Sequence, residues 1–368
     1  MSPGFSFRPP VEALVPYEPG KPIEEVQREL GLERVVKLAS NEGPFGPFPA
    51  ALEAIARSAA ELNRYPDGGA YRLRAALAER HGLPFEQVAV GAGADGVIDS
   101  LLQAALGPGD ELVIGWPSFP SYVIDALKMG ATPVRVPLAG HSFDLGALLE
   151  AVTPRTRIVA ICNPNNPTGT MVGRAELDEY FERVPAHVLT VLDEAYFEYI
   201  DEPDYPDGIE EHVKAGHRVL VLRTFSKIYG LAGLRVGYGA GPSDVVTAVN
   251  KLKRAFDVTT PGQEAALASL GETAELERRR RANTEQRATV ERTLAAHGFE
   301  PVLPAVANFL YVDTGRDSAE VFQELLRLGV IVRPLGGFGA PEAIRVTVGT
   351  PDENVFLAQA LGRLVLAS

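Results

Sequence analysis

The chain has 368 residues, 46% hydrophobic and 23% charged, with a formal charge of −13 at pH 7. That length exceeds one small core, so two domains are expected, and the acidic balance excludes a non-specific nucleic-acid binder, which needs a basic face for phosphates. Cys162 is the single cysteine, no apolar run approaches the roughly 20 residues that cross a bilayer, and the N-terminus lacks an apolar stretch behind a basic start, so a cytoplasmic protein with no membrane partner is expected.

In chain order, the first residues are rich in Pro and Gly and read as an extended arm, followed by a short helix over 23–30. Segments 50–62 and 71–81 have helical spacing, and 88–90 is a short apolar strand that runs into a Gly-rich turn. A helix over 98–106, a strand over 111–114 and a helix over 121–129 follow. Runs rich in β-branched residues or Leu stand at 132–136, 158–162, 188–192 and 219–222, with the last strand of the set at 236–240 and a helix over 244–256. Runs apolar on both faces and separated by helices are the mark of a buried, mostly parallel sheet flanked by helices. The C-terminal third reads as a smaller α+β unit: helix 263–297, strand 309–313, helix 318–328, strands 330–333 and 344–347, and a final helix. The four arginines 278–281 fall among Glu and Gln at helical spacing and read as a solvated helix face. The expected division is an arm, 1–45, packing with the small unit; a large α/β domain, 46–255; and a small α+β domain, 256–368.

In an open parallel sheet the ligand sits outside the carboxyl ends of the strands, so the residues after each strand are where a site is sought. They are GAGADG at 91–96, GWPSF at 115–119, NPNNPTG at 163–169, DEAY at 193–196 and RTFSK at 223–227, with Arg235 shortly beyond. An aromatic ring, an amide, a carboxylate, a phenol, an amine and a guanidinium thus gather along one rim. The 91–96 turn matches G-x-G-x-x-G, which invites a dinucleotide reading, but the acid expected at the end of the next strand is replaced by Gly115-Trp116-Pro117. Two readings stay open for this turn: amides of Gly93, Ala94 and Asp95 holding a single phosphate at a helix N-terminus, or a tight turn seating a helix on the sheet.

A phosphate, a flat aromatic partner, a buried carboxylate and a lysine together suggest pyridoxal phosphate. That cofactor needs a Lys to form a Schiff base with its aldehyde and an Asp to keep its ring nitrogen protonated. Lys227 and Asp193 stand at strand ends. Taken singly, Asp193 reads as well as a helix cap and Lys227 as a surface lysine, but neither reading explains why both share one rim.

These residues resemble the fold-type-I pyridoxal-phosphate enzymes of the class I/II aminotransferases, through NPNNPTG (163–169), DEAY (193–196) and SKIYGLAGLRVG (226–237). PYEPGKP (16–22), ASNEGP (39–44), RYPD (64–67) and RVTVG (345–349) are similar to the histidinol-phosphate aminotransferase branch. The matching pieces run from the arm to the last strand.

The resemblance implies that Lys227 carries the cofactor and moves the proton, while Asp193 pairs with the ring nitrogen. Asn166 and Tyr196 would bond the ring hydroxyl, and Phe119 would stack on the ring. Gly93, Ala94, Asp95, Thr224, Ser226 and Arg235 would hold the phosphate. It further implies that Tyr65 reaches the neighbouring subunit's phosphate, which makes the active enzyme a homodimer with shared sites. Arg345 and Arg333 would take the substrate's anionic groups, and Tyr17 and Asn41 would close over it from the arm. The implied reaction is amino transfer between histidinol phosphate and 2-oxoglutarate in histidine biosynthesis.

The chain departs from the branch at Gly43, where Asn is usual, and at Gly96, where Glu is usual. These departures leave an aromatic amino acid aminotransferase as the alternative, with Phe7, Tyr17 and Phe338 lining the side-chain pocket. A threonine-phosphate decarboxylase using the same cofactor and a nicotinamide-dependent dehydrogenase are further alternatives. The six histidines lack metal-ligand spacing, and no metal is expected. Cys162, at a strand end, reads as a small core residue.

Overall fold

The apolar runs hydrogen-bond into one seven-stranded sheet, as their two-faced hydrophobicity requires. The computed structural model describes residues 5–12, 14 and 20–367, with the backbone alone for 365–367. A short helix α1 (Pro9–Glu12), helix α2 (Ile23–Leu30) and strand β1 (Val36–Lys37) come first. The α/β part follows with α3 (Pro49–Ser58), α4 (Tyr71–His81), β2 (Val88–Ala92), α5 (Gly93–Ala105), β3 (Glu111–Trp116), α6 (Pro120–Met129) and β4 (Thr132–Pro137). It continues with α7 (Leu145–Glu150), β5 (Thr156–Cys162), α8 (Arg174–Arg183), β6 (Leu189–Asp193), β7 (Val219–Thr224), β8 (Val236–Ala240) and α9 (Ser243–Leu252). The last part holds α10 (Thr260–Ser269), α11 (Thr273–Ala296), β9 (Phe309–Asp313), α12 (Ser318–Arg327), β10 (Val330–Ile331), β11 (Arg333–Pro334), β12 (Ala343–Thr347) and α13 (Pro351–Ala367).

The sheet order is β2-β8-β7-β6-β5-β3-β4. Strands β4, β3, β5, β6 and β7 run parallel, and β8 lies antiparallel between β7 and β2. The fold is therefore the expected α/β sandwich with a mostly parallel sheet. The order also removes the dinucleotide reading. The strand beside β2 is antiparallel, and β3, the next strand in the chain, lies five places away, so the 91–96 turn belongs to no βαβ unit of neighbouring strands.

Several expected boundaries move. Helix α5 starts at Gly93, five residues before the expected position, because the glycines that weaken the helical pattern sit in its first turn, where backbone approach matters more than propensity. Gly237 of β8 makes that approach possible: a Cβ there would lie 2.1 Å from the Ala94 nitrogen. The single helix expected over 263–297 breaks at residues 270–272 into α10 and α11. Helices α7 and α8 have no counterpart in the sequence reading. The first is only six residues long, and the second buries just Leu177, Tyr180 and Phe181 among charged neighbours.

The expected strand 330–333 is two strands with different partners. Its first half pairs parallel with β1 of the arm, and its second half pairs antiparallel with β12, which also pairs with β9. A second core gathers around this small sheet, including Val36 and Leu38 from the arm, Leu294 of α11 and Leu357 of α13. Val258, Ala265 and Ala266 belong to the core of the large sheet. We propose that the boundary between the two units falls after α10, beyond the position read from the sequence.

Beneath the carboxyl ends of β6 and β7 lies a buried ion pair. Arg223 Nε donates to Glu194 Oε2 at 2.9 Å and Nη2 to Asp207 Oδ1 at 2.7 Å, while the Gly208 N–H donates to Glu194 Oε1 at 2.9 Å. Glu194 is fully buried, and burial raises its pKa to about 7 against the pull of Arg223. Removing the cation strands a charge in a dry site, which is far more costly than the pair is stabilising. Arg223→Met should therefore lower the stability measured by urea unfolding by about 3–5 kcal/mol at neutral pH, and Arg223→Met/Glu194→Leu should recover part of that loss.

Candidate active site

The carboxyl ends of the strands open on one cavity of about 190 Å³. Its wall includes Ala94, Asp95, Phe119, Asn166, Asp193, Tyr196, Thr224, Ser226, Lys227, Arg235, Arg333, Arg345 and Asn41, so thirteen of the sixteen residues singled out from the sequence meet in one place.

One end of the cavity is built to receive an anion. The first turn of α5 presents the amides of Ala94 and Asp95. Opposite them, Thr224 Oγ1 lies 3.1 Å from Ser226 Oγ, which accepts from Arg235 Nη1 at 3.3 Å. Gly93 is absent from the lining, but it lets the guanidinium in: at φ 76° it has no Cβ, and one placed there would lie 2.7 Å from Arg235 Nη2. Arg235 itself takes φ 53°, a left-handed backbone that a non-glycine residue adopts only where its surroundings impose it.

The middle of the cavity holds a carboxylate and an amine. Asp193, the last residue of β6, is buried; Tyr122 donates to its Oδ2 at 2.9 Å and the Ala195 N–H to its Oδ1 at 3.1 Å. Burial raises its pKa to about 6, and the Tyr122 bond works in the opposite direction. Lys227 sits just beyond β7, with Nζ 3.4 Å from the Ser40 carbonyl oxygen and 5.4 Å from the centre of the Tyr196 ring. Burial, then the positive charges of Arg345 and Arg235, bring its pKa down to about 7. A larger share of this amine is therefore neutral near pH 7 than of an ordinary lysine.

The other end carries the two arginines. Arg333 and Arg345 are directly paired across β11 and β12, an arrangement of like charges that a sheet disfavours. Arg345 is buried; its Nη2 donates to the Ala39 carbonyl oxygen at 2.7 Å and its Nη1 to Asn166 Oδ1. Asn41, at φ 54°, ties the arm to both units: its Nδ2 donates to the Tyr196 hydroxyl at 2.9 Å, and its Oδ1 accepts from Thr347 Oγ1 at 3.0 Å. The arm approaches the lysine closely at Gly43, where a Cβ would lie 2.8 Å from the Lys227 carbonyl oxygen.

Three residues stand apart. Tyr65 is 81% exposed, stacked on Phe256 at 4.7 Å, and lies outside this chain's own cavity. Tyr17 lies outside the described residues. Gly93 acts only through its missing side chain. Of the aromatic candidates, Phe338 lines the cavity, whereas Phe7 is 63% exposed against Phe5, away from it.

Residues absent from the sequence reading also matter here. Tyr122 was hidden in the helical pattern of α6; a polar-tipped residue on the face that meets the sheet was the available signal. Ser40 contributes only its carbonyl, which no side-chain pattern can reveal. Cys162 lines the cavity, but burial pushes its thiol pKa up, away from the range of an activated nucleophile.

With this geometry in place, the comparisons with known proteins point one way. The chain is 47% identical over 351 residues to a histidinol-phosphate aminotransferase of Akkermansia muciniphila, covering 95% of each chain. It is 44% identical over 359 residues to one of Moorella thermoacetica, covering 97% of this chain and 92% of that one. A crystal structure of histidinol-phosphate aminotransferase from Sinorhizobium meliloti in complex with pyridoxal 5′-phosphate superposes with a TM-score of 0.90 at 29% identity, over 100% of this chain and 99% of the other. The family description "Aminotransferase class I and II" matches residues 33–361, and the chain belongs to that family.

Proposed function

We propose that the protein is a pyridoxal-phosphate-dependent aminotransferase that moves the amino group between histidinol phosphate and 2-oxoglutarate. The observation that carries this reading is the pairing of Arg333 with Arg345 across two strands, in a cavity that also holds Asp193 and Lys227. Two guanidiniums on one wall suit a donor with a phosphate and an acceptor with carboxylates. The names of the relatives agree with that chemistry.

The residues present fit the cofactor. A buried carboxylate calls for a positive partner, a lysine of lowered pKa stands in the same cavity, and a helix N-terminus with hydroxyls and a guanidinium closes one end. When bound, pyridoxal phosphate supplies an aldehyde carbon that bonds an amine and a cationic ring that draws electron density from the substrate Cα.

The chain's own residues then have distinct tasks. The Ala94 and Asp95 amides, Thr224, Ser226 and Arg235 hold the phosphate; Phe119 covers the ring; Asn166 and Tyr196 bond its hydroxyl. The Asp193 carboxylate accepts from the ring N–H, and Tyr122 keeps that carboxylate ionised and aimed. Lys227 Nζ, its pKa lowered to about 7, would take up and hold the proton that leaves the substrate Cα. Arg345 and Arg333 hold the substrate's anionic ends, and Asn41 closes over it from the arm. Tyr65 is assigned to the phosphate of a partner's site in a homodimer, where its exposed ring is available. The enzyme acts on small-molecule amino donors and 2-oxo acids, in the cytoplasm.

Three measurements test this reading. Lys227→Ala should abolish turnover and the visible absorption band of the purified protein; in the wild type, cofactor uptake by apoprotein should speed up as pH rises through about 7 and then level off. Tyr122→Phe removes a donor from a buried carboxylate and so raises the Asp193 pKa. Its cofactor affinity should fall roughly tenfold, the scale of one bond to a charged group, with a larger loss at pH 6 than at pH 8. In a half-reaction screen that follows loss of the visible band, histidinol phosphate should react faster than phenylalanine or tyrosine; the reverse order would make the enzyme an aromatic amino acid aminotransferase.

A further inference from the structure

Phe338 belongs to neither the anion cradle nor the lysine–carboxylate pair, yet it lies beside both arginines. Its ring centre is 5.6 Å from Arg333 Cζ and 5.7 Å from Arg345 Cζ. The side chain is only 4% exposed and still lines the cavity that holds Lys227.

The backbone fixes this position firmly. Phe338 ends a one-turn 3-10 segment, Gly336–Phe338, closed by Gly339 at φ 84°. A Cβ on Gly339 would lie 2.3 Å from Trp116 Nε1, so the turn is pressed onto the end of β3 in the large sheet. Behind the ring, Tyr311, Leu335 and Ala343 form a small apolar cluster with it. The ring is therefore held by both units before any ligand arrives, which spares the ordering cost at binding.

Two guanidiniums recognise the charged ends of a ligand but are indifferent to what lies between those ends. Both substrates of the proposed reaction carry anions, so the arginines alone discriminate poorly between a ring-bearing phosphate donor and an acyclic dicarboxylate. A rigid aromatic wall beside both charges supplies the missing contact, because flat rings gain from meeting each other beyond the area they bury. A flexible methylene chain gains much less.

We propose that Phe338 is a specificity-determining residue of the substrate site, contacting the unsaturated ring of the amino donor and favouring ring-bearing donors over glutamate. The assignment deepens the proposed function and rests on it. A single apolar contact of this kind discriminates by roughly 10- to 200-fold.

The test uses holoenzyme carrying Phe338→Leu, which nearly keeps the volume, and Phe338→Tyr, which keeps the ring. Half-reactions are followed with histidinol phosphate, phenylalanine and glutamate. In Phe338→Leu the ratio of kcat/KM for histidinol phosphate over glutamate should fall about tenfold or more, and Phe338→Tyr should restore most of it. A ratio that stays within about threefold of wild type in Phe338→Leu, with both donors slowed alike, overturns the assignment, since the ring would then only hold the arginines apart. If the wild type ignores histidinol phosphate but accepts phenylalanine, the functional reading fails and the phenylalanine-to-glutamate ratio decides the role of Phe338 by the same criterion. A wild type that accepts neither ring-bearing donor overturns both.

Discussion

The constraint on which the site depends is the removal of charge from water at the ends of β6 and β7. Asp193 and Glu194 are consecutive acids at the edge of a buried sheet, and their side chains leave in opposite directions. Glu194 turns beneath the rim and meets Arg223, which also lies over the Phe197 ring at 3.4 Å. Asp193 turns into the cavity, where its only side-chain donor among the described residues is the neutral Tyr122 hydroxyl. One acid is thus paired with a cation by the fold itself, and the other accepts from a neutral hydroxyl. The same desolvation brings Lys227 down to about 7, so the acid and the amine of the site are tuned by one physical cause.

Around this rim the molecule uses missing side chains as much as present ones. Gly237 admits the first turn of α5, Gly93 admits Arg235, and Gly43 admits the arm to the lysine backbone. At each of them a Cβ would lie less than 3.0 Å from the neighbouring segment, too close for any side chain. The arm is held by polar contacts of the same economy. Asn41 bonds Tyr196 on the large sheet and Thr347 on the small one, while Arg345 reaches back to the Ala39 carbonyl oxygen. Both units and the arm therefore contribute to this end of the cavity.

The sequence reading was strongest where chemistry and periodicity coincide. Strand β8 (Val236–Ala240) and helices α2 and α4 lie where their patterns place them, because apolar spacing reports burial directly. Lys227, Asp193 and Asn166 were legible because each stands at or just after the end of a parallel strand, and those ends face one rim; Arg235 joins them from the start of the antiparallel β8. The reading failed where a residue's role depends on a partner remote in sequence. The expected strand 330–333 split because its halves answer to β1 and β12, not to their own pattern. The glycines of the 91–96 turn match a dinucleotide pattern that the missing acid after β3 already weakened, and the antiparallel β8 beside β2 agrees with that.

By itself, then, the sequence determined the class of fold, the carboxylate–lysine–guanidinium set and the family resemblance, since these follow from residue types at strand ends and from local spacing. The tertiary structure alone decided which residues tune that set. Tyr122 reaches Asp193 only because α6 lies across the sheet, and Arg333 opposes Arg345 only because β11 and β12 pair in that register. Phe338 lies beside both of those arginines, in a turn that Gly339 lets approach Trp116. Contacts decided by how whole elements pack and pair leave no periodic trace in either segment, and it is such contacts that set the protonation and shape of this site.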